Sequence, residues 1–468
     1  MNDELNGQGQ FRGDFSRDTH DPLMRFSRVL MQQGRVMLDA DWNEQTSILL
    51  RFLRTLAADL IGPYGGVGDG FKIEPNPDDA TDFFIREGHY YVNGVLCENS
   101  LQTDPKGSPI PLSYFKQPNY PLDKKNKPLH LVDDNGKALN GLVYLDVWER
   151  HVTFNETQDP DSPGIREVAL GGPDTASRAQ VVWQVKVLGT PMSAAQLKKN
   201  PSFFQKALVD AGVFQPGTGR LQARAKKPAT DGAACPCVTS PESRYRGVEN
   251  QLYRVEIHTG GNVWDPTTKT GASFKWSREN GSVIFPILKL SANQVTVADL
   301  GRDQRLSLKV NDWVEVVDDD QARLGAAGPL LQVTAIDAAA LVVTLSGAPT
   351  IASVAPLTNH PLLRRWDSPQ GLDNVDVPKL TDGWLALEDG VEIQFDPKGA
   401  YRTGDYWLIP ARVATGDVEW PGLIDNPAAL PPHGIQHYYA PLAILSVDAG
   451  GKLTAAAECR SLIKPVVS

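Results

Sequence analysis

The chain has 468 residues, enough for about three ordinary domains, and 41% hydrophobic with 22% charged residues is a globular composition that excludes a disordered polymer. The balance of 46 Lys and Arg against 56 Asp and Glu gives a net charge of −10, which argues against a nucleic-acid backbone or an anionic membrane as the main partner. Glycine (41) and proline (35) are together 76 residues, and no Gly-X-Y period accompanies them, so the excess predicts many turns between short strands.

In chain order, residues 1–25 read as an extended polar arm with glycines at 7, 9 and 13. No basic region followed by an apolar stretch opens the chain, so no secretory signal is expected. Asp41 and Glu44 fit a capping box, and a helix is predicted from about residue 42 to 61, stopped by Gly62-Pro63. Leu49, Phe52, Leu53, Leu56 and Leu60 lie on one stripe at helical spacing, with Ile48, Leu50 and Ile61 widening it. Phe52 and Leu56 are expected to be buried, within the chain or between subunits.

Strands follow at 83–85, 90–92 and 95–97, with Asn93-Gly94 marking a hairpin. Residues 104–140, with six prolines, read as a surface insertion, and 214–246 as a second. Between and after them, strands are predicted at 142–154, 179–188, 251–258, 272–276 and 282–290, and a helical patch at 193–212. Short, evenly spaced strands from 291 to 356 suggest a small barrel. Further strands are predicted near 383–387, 391–395, 405–410 and 440–447. The fold class expected is mainly β: several small sandwich or barrel domains preceded by an arm and one long helix. The expected divisions are 1–62, 63–290, 291–356 and 357–468.

Chemistry-bearing patterns are sparse. His433 and His437 are four apart, but Pro431, Pro432 and Gly434 oppose a helix there. Cys235-Pro-Cys237 is one residue short of a redox or half-zinc motif, and four cysteines make no disulfide framework. The glycine-rich 65–70 follows a helix and precedes a strand, the reverse of a phosphate-binding loop. Asp318-Asp319-Asp320 lacks calcium-loop spacing and reads as a water-facing cluster, and Asp18, His20 and Asp21 as chance neighbours in the arm. Glu149 with His151, and Glu256 with His258, share strand faces and are weak acid–base candidates. Eight strand tryptophans (148, 183, 276, 313, 366, 384, 407 and 420) read as packing anchors or, second, as sugar-stacking surfaces. No enzyme activity, cofactor or metal is expected, and the cysteines are expected to be free thiols.

Several segments resemble a bacterial family of formally unknown function encoded with phage-tail-like contractile injection systems. They are FSRVLMQQGRVMLDADWNEQ (26–45), YLDVWER (144–150), IREVALGGPDTASRAQVVWQVKV (165–187), YRGVENQLYRVEIH (245–258), ASFKWSRENGSVIFP (272–286) and YRTGDYWLIPAR (401–412). The first is also similar to the N-terminal motif of some phage tail-fibre and baseplate proteins. The resemblance implies a structural subunit of the particle (baseplate-peripheral, fibre-base or accessory), assembled in the cytoplasm and not inserted in a membrane. It implies baseplate, sheath or fibre proteins as partners, together with homo-oligomerisation. Some members of that family continue into fibre-like C-terminal domains, whereas this chain stops at Ser468. The expected assembly interface is Phe26, Arg28, Arg35, Trp42, Phe52 and Leu56. A chain starting near Gly65 is expected to fold but to lose docking. The alternative is a carbohydrate-binding or carbohydrate-cleaving β-rich surface protein.

Overall fold

The structure is a computed structural model describing residues 11–464, apart from 18, 105, 123–130, 132–138, 158–163, 214–216, 227–243, 263–270, 352–358, 368–383, 424–425 and 449–451. Cys235, Cys237 and Asp18 lie outside the described residues, as does most of the 214–246 insertion. The chain is mainly β, in antiparallel sheets grouped around three main cores.

A 23-residue helix, α1 (Asp39–Ile61), leads into the first core. Its N-cap is Leu38, without a side-chain cap. The anticipated capping box is absent because the helix already starts at Asp39, which puts Asp41 inside its first turn rather than at the cap. Asp39 accepts the Ser16 amide at 2.8 Å, and Glu44 accepts the Thr19 hydroxyl at 2.6 Å. The helix ends at Gly62, whose amide reaches the Ala58 carbonyl. Beyond it, Gly88–Val92 and Val95–Asn99 form a hairpin with Tyr64–Gly66 at its edge. Asn93 (φ 49°) and Gly94 (φ 79°) take the left-handed turn that such a two-residue loop requires.

Against these strands lies a sheet ordered Arg178–Thr190, Asn140–Val152, Tyr438–Val447, Leu453–Glu458. Phe71, Phe83, Tyr90, Val143, Trp183 and Leu445 meet in the core between them. On the opposite face, Leu142, Tyr144 and Ile444 are covered by α2 (Ala194–Lys199) and α3 (Ser202–Asp210) through Leu197, Phe204 and Leu208. Burial of both faces explains the nearly unbroken apolar run of Asn140–Val152. Ser193 and Gln196 cap α2 reciprocally.

The second core lies between Leu221–Ala225, Val391–Phe395 and Leu385–Ala386 on one side and Ser273–Ser277, Gln251–Thr259, Tyr406–Arg412 and Asp417–Val418 on the other. Six strands close a barrel in the order Ile284–Ser291, Gln294–Val297, Val342–Leu345, Leu330–Asp337, Trp313–Val317, Leu362–Trp366. Pairing thus runs across the divisions drawn from sequence. The barrel takes strands from before 291 and after 356, and Tyr438–Val447 pairs with Asn140–Val152. Leu221–Ala225 lies within the second predicted insertion and pairs in full with Val391–Phe395.

Candidate assembly interface

The base of the arm is built into the body. Arg12 donates to Glu256 through Nε (3.1 Å) and Nη2 (2.7 Å). Asn280 donates to the carbonyls of Phe11 and Gly13, at 3.3 and 3.0 Å, and Arg254 donates to that of Phe11 at 3.2 Å. The rings of Phe11 and Phe15 meet His151 edge-on, with centroids 5.9 and 6.0 Å away. These contacts correct the expectation of a polar arm that contributes nothing to the β domains: residues 11–15 fill a slot in them.

That slot is a buried ionic cluster. Glu256 also accepts Arg254 at 2.6 Å and lies 3.4 Å from Lys275, which reaches Glu315 at 2.6 Å. Burial by itself would raise the Glu256 pKa, but Arg12, Arg254 and Lys275 outweigh it and hold the carboxylate well below its usual range. Arg364, with burial and the nearby Arg12 against it, is pulled down to about 10. Burial and the guanidiniums of Arg364, Arg12 and Arg254 depress His151 to about 3, so its imidazole is neutral at working pH. The cluster locks arm, second core and barrel together. Glu256 is committed to three cations, and burial and Lys275 depress His258 to about 4.

Helix α1 docks by one face. Ala40 and Ile48 are buried, and Arg54 donates to Glu149 at 3.0 and 2.7 Å. This contact engages Glu149 on the helix, whereas His151, two residues on, faces the arm. The opposite face is uncovered. Trp42 is 71% exposed, Phe52 54%, Leu53 64%, Leu56 57% and Leu60 78%. Burial of Phe52 and Leu56 within the chain is therefore overturned; helical spacing reveals an apolar stripe but not what covers it. The preceding segment, 22–38, continues this surface with Leu23, Phe26, Leu30, Val36 and Met37 exposed. Arg28 and Arg35 are exposed beside them. All six residues of the expected interface thus lie on one outward-facing segment, and Leu49, Leu53 and Leu60 extend it.

The other sequence candidates have structural duties. His437 Nδ1 lies 2.6 Å from Asp146, which also accepts Lys186 at 2.6 Å. Backbone hydrogen bonds tie His433 to Tyr406. Asp318 caps α4 (Asp319–Leu324) by accepting the Gln321 amide. Asp319 does not face water: it is buried against Arg150, Arg323 and His360. The glycine-rich turn is clamped, with Arg460 donating to the carbonyls of Gly68 and Gly70. Trp148, Trp183, Trp276, Trp366 and Trp407 are buried, and Trp313, Trp384 and Trp420 half-buried. A polar cleft of about 290 Å³ lies between arm and body, lined by Asp14, Asp39, Glu279 and Arg412 among others. Its described lining includes no histidine or cysteine to act with Ser16 as a nucleophile pair. Among the described residues, no three His, Cys, Asp or Glu side chains are grouped to hold a metal, and no helix is long and apolar enough to cross a membrane.

Arg12 and Arg54 carry no local signal in the sequence, and Glu256 reads there as an acid–base candidate rather than as an ion-pair partner. A usable signal is present: Arg254 and Glu256 interrupt the otherwise apolar run 252–257, where ions must find partners.

No curated protein and no solved structure matches the chain. A family model does match, over residues 11–213 and 216–464, and therefore takes in the arm base, α1 and all three cores. The chain belongs to that family, DUF6519, a family of unknown function.

Proposed function

We propose that the protein is a non-catalytic structural subunit of a phage-tail-like contractile injection particle, seated at the baseplate periphery, a fibre base or an accessory position. The observation that carries this reading is the uncovered apolar surface of residues 22–60 on a segment whose two ends are fastened, by Arg12 to Glu256 and by Arg54 to Glu149. A large exposed apolar patch on a well-packed body is what an assembly contact looks like before its partner arrives. The resemblance of residues 26–45 to tail-fibre and baseplate motifs falls on that same segment. Baseplate, sheath or fibre proteins and copies of the chain itself are the partners that this reading requires. Carbohydrate stacking gains no support, because the strand tryptophans are spent in the cores or half-covered at their rims.

The test is particle incorporation. Wild type and the double variant Phe52→Glu, Leu56→Glu are expressed in a strain lacking the gene; particles are then purified and blotted. Wild type is expected in the particles and the variant only in the unassembled fraction, with its melting curve unchanged. Wild type absent from particles overturns the proposal. Equal incorporation of the variant moves docking away from α1.

A further inference from the structure

The outward side chains of α1 follow a stricter rule than amphipathicity. Trp42, Thr46, Leu49, Leu53, Leu56 and Leu60 are spaced 4, 3, 4, 3, 4, the alternation of a seven-residue repeat that keeps one seam facing partner helices. All six are exposed. The Thr46 hydroxyl donates to the Trp42 carbonyl, 3.1 Å away, so its hydrogen-bonding need is met by its own helix. With Thr46, Leu53 and Leu60 as a and Trp42, Leu49 and Leu56 as d, the buried Ala40, Ile48 and Arg54 occupy b and c. The body thus holds the helix by its back and presents the seam.

From this geometry we infer that α1 forms a parallel bundle with α1 of two or more further copies of this chain. Three observations choose that occupant. The flanking e and g positions carry Asn43, Leu50 and Ala57, and Gln45, Phe52 and Asp59, with one charge among six, so no ionic code specifies a foreign helix. Apolar residues at e and g widen the stripe beyond what one partner helix covers, the pattern of a helix facing a bundle core. From their exposures, the seam and its apolar flanks present roughly 800 Å² per copy, the amount one side of a stable interface buries. In a parallel, in-register bundle the lone polar a residue, Thr46, shares one layer with its own kind and leaves every other layer apolar.

Light scattering on the purified full chain tests this independently of the particle. One chain is 51.1 kDa, so three give 3 × 51.1 = 153.3 kDa. The expected mass at micromolar concentration is 153.3 kDa or more, falling to 51.1 kDa in Leu53→Glu, Leu56→Glu with an unchanged far-UV circular-dichroism spectrum. A wild-type monomer or dimer overturns the inference, as does an oligomer that survives the double variant. Orientation is read by Thr46→Cys in a chain carrying Cys235→Ser and Cys237→Ser. Oxidation should link copies covalently at the axis, and failure to link overturns the parallel register. Because mass is read without particles, a failed bundle and a failed particle assignment are distinguishable.

Discussion

Arg12 and Glu256 are 244 residues apart in the chain, yet they form a two-pronged ion pair inside it, with side chains 17% and 2% exposed. The pair gives the region before α1 a role in folding as well as in assembly. The first prediction follows from the unequal company of the two partners. Arg12→Ala leaves Glu256 with Arg254 and Lys275, so the loss should fall at or below the low end of buried-pair costs, about 2–3 kcal/mol. Glu256→Gln leaves three cations facing Glu315 and should cost more, about 3–5 kcal/mol. Denaturant unfolding of both variants measures the order. If Arg12→Ala proves the worse, the cluster is not governed by charge balance. A chain beginning near Gly65 loses Arg12 and Arg54 together and should melt well below the full chain, contrary to the expectation drawn from sequence.

The parts of this fold that were legible are those whose cause is local. The strands Phe83–Ile85, Gln294–Val297 and Val391–Phe395 are apolar or β-branched runs bounded by turns, and the Asn93-Gly94 hairpin follows from two residues able to take positive φ. Leu362–Trp366 is hidden in the sequence because Arg364 and Arg365 look like solvent-facing residues, although both are buried and bonded to backbone carbonyls. Leu453–Glu458 is hidden because three alanines give weak strand preference. The pairing of Tyr438–Val447 with Asn140–Val152 leaves no local trace at all. The interface residues were read from spacing and resemblance; that their stripe faces outward depends on Arg54 and Glu149, a contact 95 residues apart.

Two histidines should add to the acid sensitivity that depressed carboxylates such as Glu256 already confer. His151 and His258 have folded pKa values of about 3 and about 4, below the ordinary 6.5, because burial and nearby cations disfavour their charged forms. The folded state therefore holds fewer protons than the unfolded state. The stability each contributes is complete above about pH 6.5 and is lost as pH falls toward those values, at up to about 1.4 kcal/mol per pH unit. Glu279 and Asp405, raised by burial to about 7 and about 6, act in the opposite sense. They are common to wild type and His151→Gln, and cancel in the difference between the two. That difference should be flat from pH 8 to 6.5 and should then tilt in favour of the variant down to pH 4. Parallel curves throughout would mean that His151 protonates freely in the fold.

Two thiols should be silent until the protein unfolds. Cys97 is fully buried, and burial pushes its pKa far above the usual thiol range; Cys459 is 7% exposed and pushed up to about 11. Both are free. In the Cys235→Ser, Cys237→Ser chain, a thiol reagent at pH 8 should find none promptly in the native protein and two per chain in guanidinium. Prompt native reaction of either would place it in solvent, against the packing described.

Gly94 should be the residue on which the seating of α1 depends. Its φ is 79°, and a Cβ there would lie 2.2 Å from the carbonyl oxygen of Arg54 and 2.9 Å from its Cα. Those atoms belong to a helix backbone that cannot yield as a side chain would. They also carry the guanidinium that holds Glu149. Gly34 is the natural control, since its φ of 70° is equally left-handed but nothing lies within 4 Å of its would-be Cβ. Gly34→Ala should therefore cost only the backbone penalty, roughly 1–2 kcal/mol. In Gly94→Ala the same penalty is joined by displacement of the helix and strain on the Arg54–Glu149 pair, for a total of about 3–5 kcal/mol. Thermal and denaturant unfolding of the two variants side by side give the comparison. Equal losses would mean that α1 moves aside freely, and that the hairpin does not fix which face of the helix is turned outward.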